Sequence, residues 1–174
     1  MKKYIFILLA ALTFVACSED EGNELIGPVT EASADEIPLN VKAFFNDYVS
    51  ENYEVRQGIS FNFGSNKSLA INSMGELSQL YTGTRELPNI DFGKYTLILG
   101  NVLLPHSGHY YEKSEMEEYD SFYQMDVYIK VKDSGYHAIT GVPFWGLYPK
   151  LNNKDIRFTP FSTDGKVLKL VDSE

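Results

Sequence analysis

The sequence has little of the material that most protein chemistry requires. It contains one cysteine and three histidines among 174 residues. An internal disulfide and a cysteine-rich zinc site are therefore excluded, and a multi-histidine metal centre is not expected. There is no Gly-x-Ser-x-Gly nucleophile elbow and no glycine-rich phosphate loop. The 15 basic residues are outnumbered by 24 acidic ones, which argues against nucleic acid as a partner. We expect no cofactor, no metal and no catalytic residue set.

The first residues are typical of an export signal. Lys2 and Lys3 precede an uncharged run, Tyr4 to Ala16, which is shorter than the about 20 apolar residues of a membrane-spanning helix. The run ends in Phe14-Val15-Ala16-Cys17, which resembles the lipobox of bacterial lipoproteins. This resemblance implies a signal peptide over 1–16, cleavage before Cys17, a thioether-linked diacylglycerol and an amide-linked acyl chain such as palmitate. The alternative is an ordinary signal peptide with a chance cysteine.

An acidic stretch follows the lipobox. Ser18-Glu19-Asp20-Glu21 resembles the surface-export signal of Bacteroidota lipoproteins, which implies an outer-membrane protein displayed on the cell surface. The alternatives are a solvated tether and an orientation towards the cell interior. Residues 18–36 contain seven acidic residues and no Lys or Arg, so residues 17–36 are predicted to be a lipidated, flexible, acidic tether.

The remainder, residues 37–174, is predicted to be a single α+β domain. Val41, Phe44, Phe45, Tyr48 and Val49 have the spacing of an amphipathic helix. A short second helix is expected after Ser73, where Glu76 follows at capping-box spacing. The other patterns favour six to eight strands in one twisted, mostly antiparallel sheet, with Tyr95 to Leu99 as a central strand buried on both faces.

Part of the domain resembles a second lipoprotein family. Leu87-Pro88-Asn89-Ile90-Asp91-Phe92, the strand after it, and Pro105-His106-Ser107-Gly108-His109-Tyr110 occur in this order. The order resembles the C-terminal domain of the protease-complex lipoproteins over about residues 70–135, except that His109 stands where that family has a glycine. The resemblance implies an accessory role beside a protease. The later run, residues 144–150, is similar to gut-type Bacteroidota lipoproteins, and neither group brings a catalytic residue set.

Aromatic residues make up 14% of the chain and are its main indication of a ligand. Exposed Tyr and Trp rings can stack on sugars or anchor a protein partner. We single out Trp145, Tyr148 and Tyr110 as candidate ligand-binding residues. Trp145 and Tyr148 lie in opposite phases of one strand, so at most one of them is expected on the surface. The alternative interpretation is that the rings fill a β-rich core.

Two further clusters of side chains are candidates for a catalytic or a metal site. Glu115, Glu117 and Asp120 are the candidates for a small envelope hydrolase, since paired carboxylates can cleave glycosidic bonds. His106 and His109 have a spacing that would suit metal binding on a helix, but Pro105 and Gly108 favour a turn. The leading hypothesis is a non-catalytic binding or accessory lipoprotein whose ligand is a glycan, a peptide or an envelope protein.

The lipobox generates the first prediction. We expect Cys17→Ser to move the protein from the membrane fraction to the soluble fraction of the envelope, because acyl chains are then its only anchor. Mass spectrometry of the wild-type amino-terminal peptide is expected to find the lipid on Cys17. A bare thiol there, or a serine variant that stays with the membrane, would contradict lipidation.

Overall fold

The structure is a computed structural model, and it describes residues 23–33, 35–131 and 137–171. The signal peptide and Cys17 lie outside these residues. The elements along the chain are β1 (Leu25–Val29), α1 (Leu39–Tyr48), α2 (Tyr53–Arg56), β2 (Lys67–Ile71), α3 (Met74–Leu80), β3 (Tyr95–Leu104), β4 (His109–Tyr119), β5 (Phe122–Val131), β6 (Thr140–Pro149) and β7 (Asp155–Ser162).

The described strands form two sheets. A four-stranded sheet has the order β1-β4-β5-β7, and a three-stranded sheet has the order β2-β3-β6. All neighbouring strands are antiparallel except β5 and β7, which are parallel. The prediction of a mixed fold with six to eight mostly antiparallel strands is confirmed, and the prediction of one sheet is wrong. The break falls between β3 and β4, where the chain passes from one sheet to the other.

The three-stranded sheet is the middle of three layers. One of its faces meets the helices, through a cluster that contains Leu97, Leu99 and Trp145 together with Val41 and Phe45 of α1. The opposite face meets the four-stranded sheet, through a cluster that contains residues of β3, β5 and β6. Because Leu97, Ile98 and Leu99 are all fully buried, β3 is covered on both faces, as its continuous apolar run predicts.

Two of the described helices, α1 and α3, lie where the sequence pattern places them, whereas the pattern does not predict α2. In α1 the residues Val41, Phe44, Phe45 and Tyr48 are buried, so the apolar stripe is the face that packs on the middle sheet. Ser73 caps α3 and accepts a hydrogen bond from the Glu76 backbone N–H at 3.1 Å, which is half of the expected capping box. The Glu76 carboxylate accepts instead from the Asn72 N–H at 2.7 Å.

The tether prediction is corrected in its second half. Residues Leu25–Val29 form β1, an edge strand that pairs with β4 from Val29 opposite Met116 to Leu25 opposite Tyr119. The apolar residues Leu25, Ile26 and Val29 are few among the acidic residues of 17–36 and do not alternate, so no strand pattern stands out there. Gly27 and Pro28 are tolerated because this is an edge strand with a bulge between Leu25 and Gly27.

Strand β6 contains Pro143 in its interior. The backbone carbonyl groups of Leu147 and Trp145 point away from β3. They accept hydrogen bonds from the Ala32 N–H and from the Tyr111 hydroxyl, respectively. Backbone groups alternate between the two sides of an antiparallel strand, so Pro143 also faces away from β3. Its missing N–H therefore costs the sheet no hydrogen bond.

Gly100 generates a prediction about the contact between the layers. It lies opposite Phe144 in the β3–β6 register, and a Cβ atom at this position would coincide with atoms of the buried Phe144 ring. We expect Gly100→Ala to lower the free energy of unfolding by about 1–3 kcal/mol through overpacking, measured by urea denaturation.

Gly75→Ala is the matched control for this substitution. The nearest atom to a Cβ at Gly75 is the Ser73 Oγ at 3.8 Å, and the residue lies within α3. Alanine there is expected to raise stability by about 0.5–1 kcal/mol. A Gly100→Ala protein as stable as wild type would show that Phe144 is not held against β3.

Candidate ligand groove

The structure buries two of the three predicted ligand-binding residues. Trp145 is 6% exposed and Tyr148 is 1% exposed. Their opposite phases place them on opposite faces of β6, since Trp145 stacks on Phe45 at 5.1 Å and Tyr148 belongs to the core between the sheets. Neither ring is an open stacking platform, so the core interpretation applies to both. The third candidate, Tyr110, is half-buried and lines a surface groove.

This groove runs between α1 and the first half of β4, and we call it the α1–β4 groove. It consists of three adjoining pockets that share Tyr111. The first is lined by Glu31, Ala32, Ile37, Lys42, Asn46, Tyr111, Glu112, Lys113 and Trp145. The second adds residues at the end of α1, together with Tyr110 and Lys130. The third continues past His109 to Thr140 and Pro143 at the start of β6.

An unpaired strand edge forms one wall of the groove. Strand β4 begins at His109, but β1 pairs only with Met116 to Tyr119. Over the described residues, no strand pairs with the first half of β4 on that side. A bulge at Glu112, between the β5-paired residues Tyr111 and Lys113, turns this side chain out of the regular alternation. Bulges commonly re-aim a side chain in this way beside functional sites.

Glu31 lies in the first of these three pockets. After β1 the chain crosses to the middle sheet, where the Ala32 N–H donates to the Leu147 carbonyl oxygen at 2.8 Å. The Leu147 N–H donates to the Glu31 Oε1 at 3.3 Å. Burial raises the pKa of the Glu31 carboxyl, although the Leu147 N–H and the charge of Lys42 both act to lower it. Desolvation therefore outweighs the interactions that favour the charged form.

Hydroxyl groups link β4 to β6 beneath the groove. The Tyr111 hydroxyl donates to the Trp145 carbonyl oxygen at 3.0 Å and lies 3.1 Å from the Ser114 Oγ. The Ser114 Oγ is in turn 3.3 Å from the Tyr148 hydroxyl. Burial raises the pKa of both tyrosines above the usual range, so they remain neutral donors. The floor of the groove is held by these contacts rather than by strand pairing.

The hydrolase candidates do not form a pair of carboxylates in a pocket. Glu115 is exposed and accepts from the Lys113 Nζ at 2.6 Å. Glu117 accepts from the Tyr119 hydroxyl at 3.1 Å, and Asp120 is exposed. None of the three lines the α1–β4 groove. Within the described ranges, no group of three or more His, Cys, Asp or Glu residues is arranged to hold a metal ion.

His106 lies in the turn before β4, and His109 lies at the start of β4. The Nδ1 of His109 is 2.6 Å from the His106 carbonyl oxygen. The His106 ring makes an edge contact with the His137 ring at 4.8 Å. His106 thus lies in a turn, as Pro105 and Gly108 indicate, and His109 is the first residue of β4, so the two are not on one face of a helix.

A second group of surface rings lies on the outer face of the four-stranded sheet. Tyr119 and Phe122 are stacked at 4.7 Å, and the Arg157 guanidinium lies 3.9 Å from the Phe122 ring centroid. Tyr128 is stacked on Phe161 at 5.8 Å, and the Lys113 Nζ lies 4.7 Å from the Tyr128 centroid. Each cation covers a ring face that a sugar would need. These rings pair with one another and with charges of their own sheet.

Sequence reasoning missed Glu31 and Lys42. Glu31 was counted as one acid among seven in the tether, and Lys42 lies on the polar side of the α1 pattern. The only local signal is the small apolar group Leu25, Ile26 and Val29, which is compatible with a strand that anchors the residues that follow it. No spacing rule connects Glu31 to a helix and a strand that are distant from it in the sequence.

The chain is a mixed α/β domain of one helical layer and two sheets. Comparison with protein-family models, curated proteins and solved structures finds no match to this chain. Among the described helices, none has the length and apolar character needed to cross a membrane.

The raised pKa of Glu31 generates a prediction with a definite sign. In the folded chain this carboxyl keeps its proton to higher pH than in the unfolded chain. Its contribution to stability is therefore present in acid and is lost as the pH rises through the raised pKa. We expect Glu31→Gln, whose amide oxygen can still accept from Leu147, to be at least as stable as wild type.

The difference in unfolding free energy between this variant and wild type should be smallest near about pH 4 and largest near about pH 7. Urea denaturation at both pH values measures it. Glu112→Gln, which changes an exposed residue of the same groove, is the control for the removal of a carboxyl group. A Glu31→Gln protein that is less stable than wild type at both pH values would refute the desolvation argument.

Proposed function

We propose that this chain is a cell-surface lipoprotein of the outer membrane, anchored by lipid on Cys17, that acts as a non-catalytic binding or accessory module. Its ligand lies in the α1–β4 groove. The lipobox and the acidic residues after Cys17 support the location. The composition and the groove support a binding function.

The observation that carries the binding function is the combination of an unpaired strand edge with charged side chains that line the same groove. Among the described strands, none pairs with the first half of β4 on the side of β1. Exposed sheet edges are normally paired, covered or blocked, and an extended ligand can add to an open one. Glu31, Lys42, Glu112 and Lys130 offer groups of both signs along this edge.

This arrangement favours a peptide or a protein segment over a glycan. Trp145 lines the groove but is only 6% exposed, and its ring stacks on Phe45, so the wide open ring face that sugar stacking uses is not offered. An extended peptide can satisfy the backbone groups of β4 and the charges beside it together. An accessory role beside a protease is one form of the same proposal, with a partner protein as the ligand.

The test uses the lipidated protein in detergent micelles against panels of glycans, short peptides and envelope proteins. We expect a ligand from the peptide or protein panels, and Tyr110→Ala should weaken its binding by about tenfold or more, since an aromatic contact of about 1.4 kcal/mol or more is lost. Tyr119→Ala is the matched control, because this ring lies on the outer face of the four-stranded sheet, away from the groove.

The two variants separate two surfaces of the molecule. Loss of binding in Tyr119→Ala, with Tyr110→Ala unaffected, would move the ligand to the outer sheet face and overturn the groove. A ligand found only in the glycan panel would contradict the preference for peptides. Turnover of any panel member by the wild-type protein would contradict the non-catalytic assignment.

A further inference from the structure

Two opposite charges line the first pocket of the groove without forming an ion pair. Glu31 and Lys42 line the same pocket. Among the described residues, neither has a salt-bridge partner within 4.0 Å. The Glu31 Oε1 accepts one long hydrogen bond, from the Leu147 N–H at 3.3 Å. The other charged neighbour, Lys113, is held by Glu115 at 2.6 Å and does not supply a partner for Glu31.

The pocket around this pair is small and partly apolar. Its volume is about 270 Å³, slightly below the roughly 300–1,000 Å³ of most small-molecule sites. Trp145, Tyr111, Ala32 and Ile37 form its walls. It therefore has room for an amino acid or a small dipeptide, and its walls raise the energetic cost of leaving the two charges unpaired.

We propose that this pocket binds the zwitterionic part of a short peptide or amino acid, with the ligand ammonium facing Glu31 and the ligand carboxylate facing Lys42. This inference rests on the proposed function, because it places the ligand in the α1–β4 groove. It adds the chemical class: a ligand that carries both charges within a few atoms of each other.

The charge on Glu31 is better explained by a ligand than by the fold. The structural task of this side chain is to accept the Leu147 N–H, and a neutral glutamine oxygen performs that task without the desolvation cost. A carboxylate that is costly to bury and lies in a pocket is a candidate functional group. An ammonium beside Glu31 would offset the cost, and a carboxylate beside Lys42 would balance the second charge.

The experiment titrates the full lipidated protein, in detergent micelles, with three probes that differ by one charge. The probes are the dipeptide alanyl-alanine, its N-acetyl derivative without the ammonium, and its C-terminal amide without the carboxylate. Binding is measured by calorimetry. We expect each modification to weaken binding to the wild-type protein by about tenfold or more, which is the loss of one charged hydrogen bond.

Two variants assign each charge to its residue. In Glu31→Gln, alanyl-alanine should bind about as weakly as the N-acetyl probe binds to wild type, and acetylation should have no further effect. In Lys42→Gln, the same relation should hold between the dipeptide and its amide. Lys94→Gln removes an exposed charge outside the groove and serves as a control that should leave the differences among the three probes unchanged. Thermal unfolding of each variant checks that the fold is retained.

The outcomes distinguish the two proposals. If acetylation weakens binding equally in wild type and Glu31→Gln, or if alanyl-alanine does not bind wild type, the zwitterion inference is overturned. The proposed function then still stands if Tyr110→Ala weakens binding of a panel ligand, and both fail if it does not. A folded Glu31→Gln protein that binds the dipeptide like wild type would show that Glu31 only caps the strand edge.

Discussion

The middle sheet of this domain is buried on both faces, and this constraint determines how the rest of the chain is arranged. A strand such as β3, with Leu97, Ile98 and Leu99 all inaccessible to solvent, contributes apolar area to two clusters at once. The layers on either side depend on it, since the described helices and the four-stranded sheet both pack their apolar residues against it. The edges of the middle sheet are then the only places where its backbone can meet solvent or a ligand.

The backbone groups of β6 that face away from β3 are hydrogen-bonded by separate residues rather than by a neighbouring described strand. Ala32 donates a backbone N–H, Glu31 accepts with its side chain and Tyr111 donates its hydroxyl. Pro143 has no N–H to leave unsatisfied. A buried backbone group without a partner costs about 1–3 kcal/mol, so this set of contacts has to be complete. The same contacts fix the positions of Glu31 and Tyr111, and the groove follows from how the edge is closed.

The sequence predicts the parts of this arrangement that depend on local patterns. The apolar stripe of α1, the cap at Ser73 and the two-sided burial of β3 follow from spacing within a few residues. The division into two sheets does not follow, because both partners of β3 are distant from it in sequence. The role of residues 25–36 does not follow either, because the acidic residues dominate the composition of this segment and its few apolar residues show no strand period.

The groove was beyond sequence reasoning for the same physical reason. Its side chains come from the segment after β1, from α1 and from a bulge in β4, and no periodicity relates them. Aromatic content drew attention to Trp145 and Tyr148, yet a large ring on a strand of the buried middle sheet gains more from burial than from exposure. The less conspicuous residue is Glu31, for which desolvation exceeds the gain from its one hydrogen bond. A side chain kept at a cost to stability, where a neutral one would serve the fold, is the kind of residue that function selects.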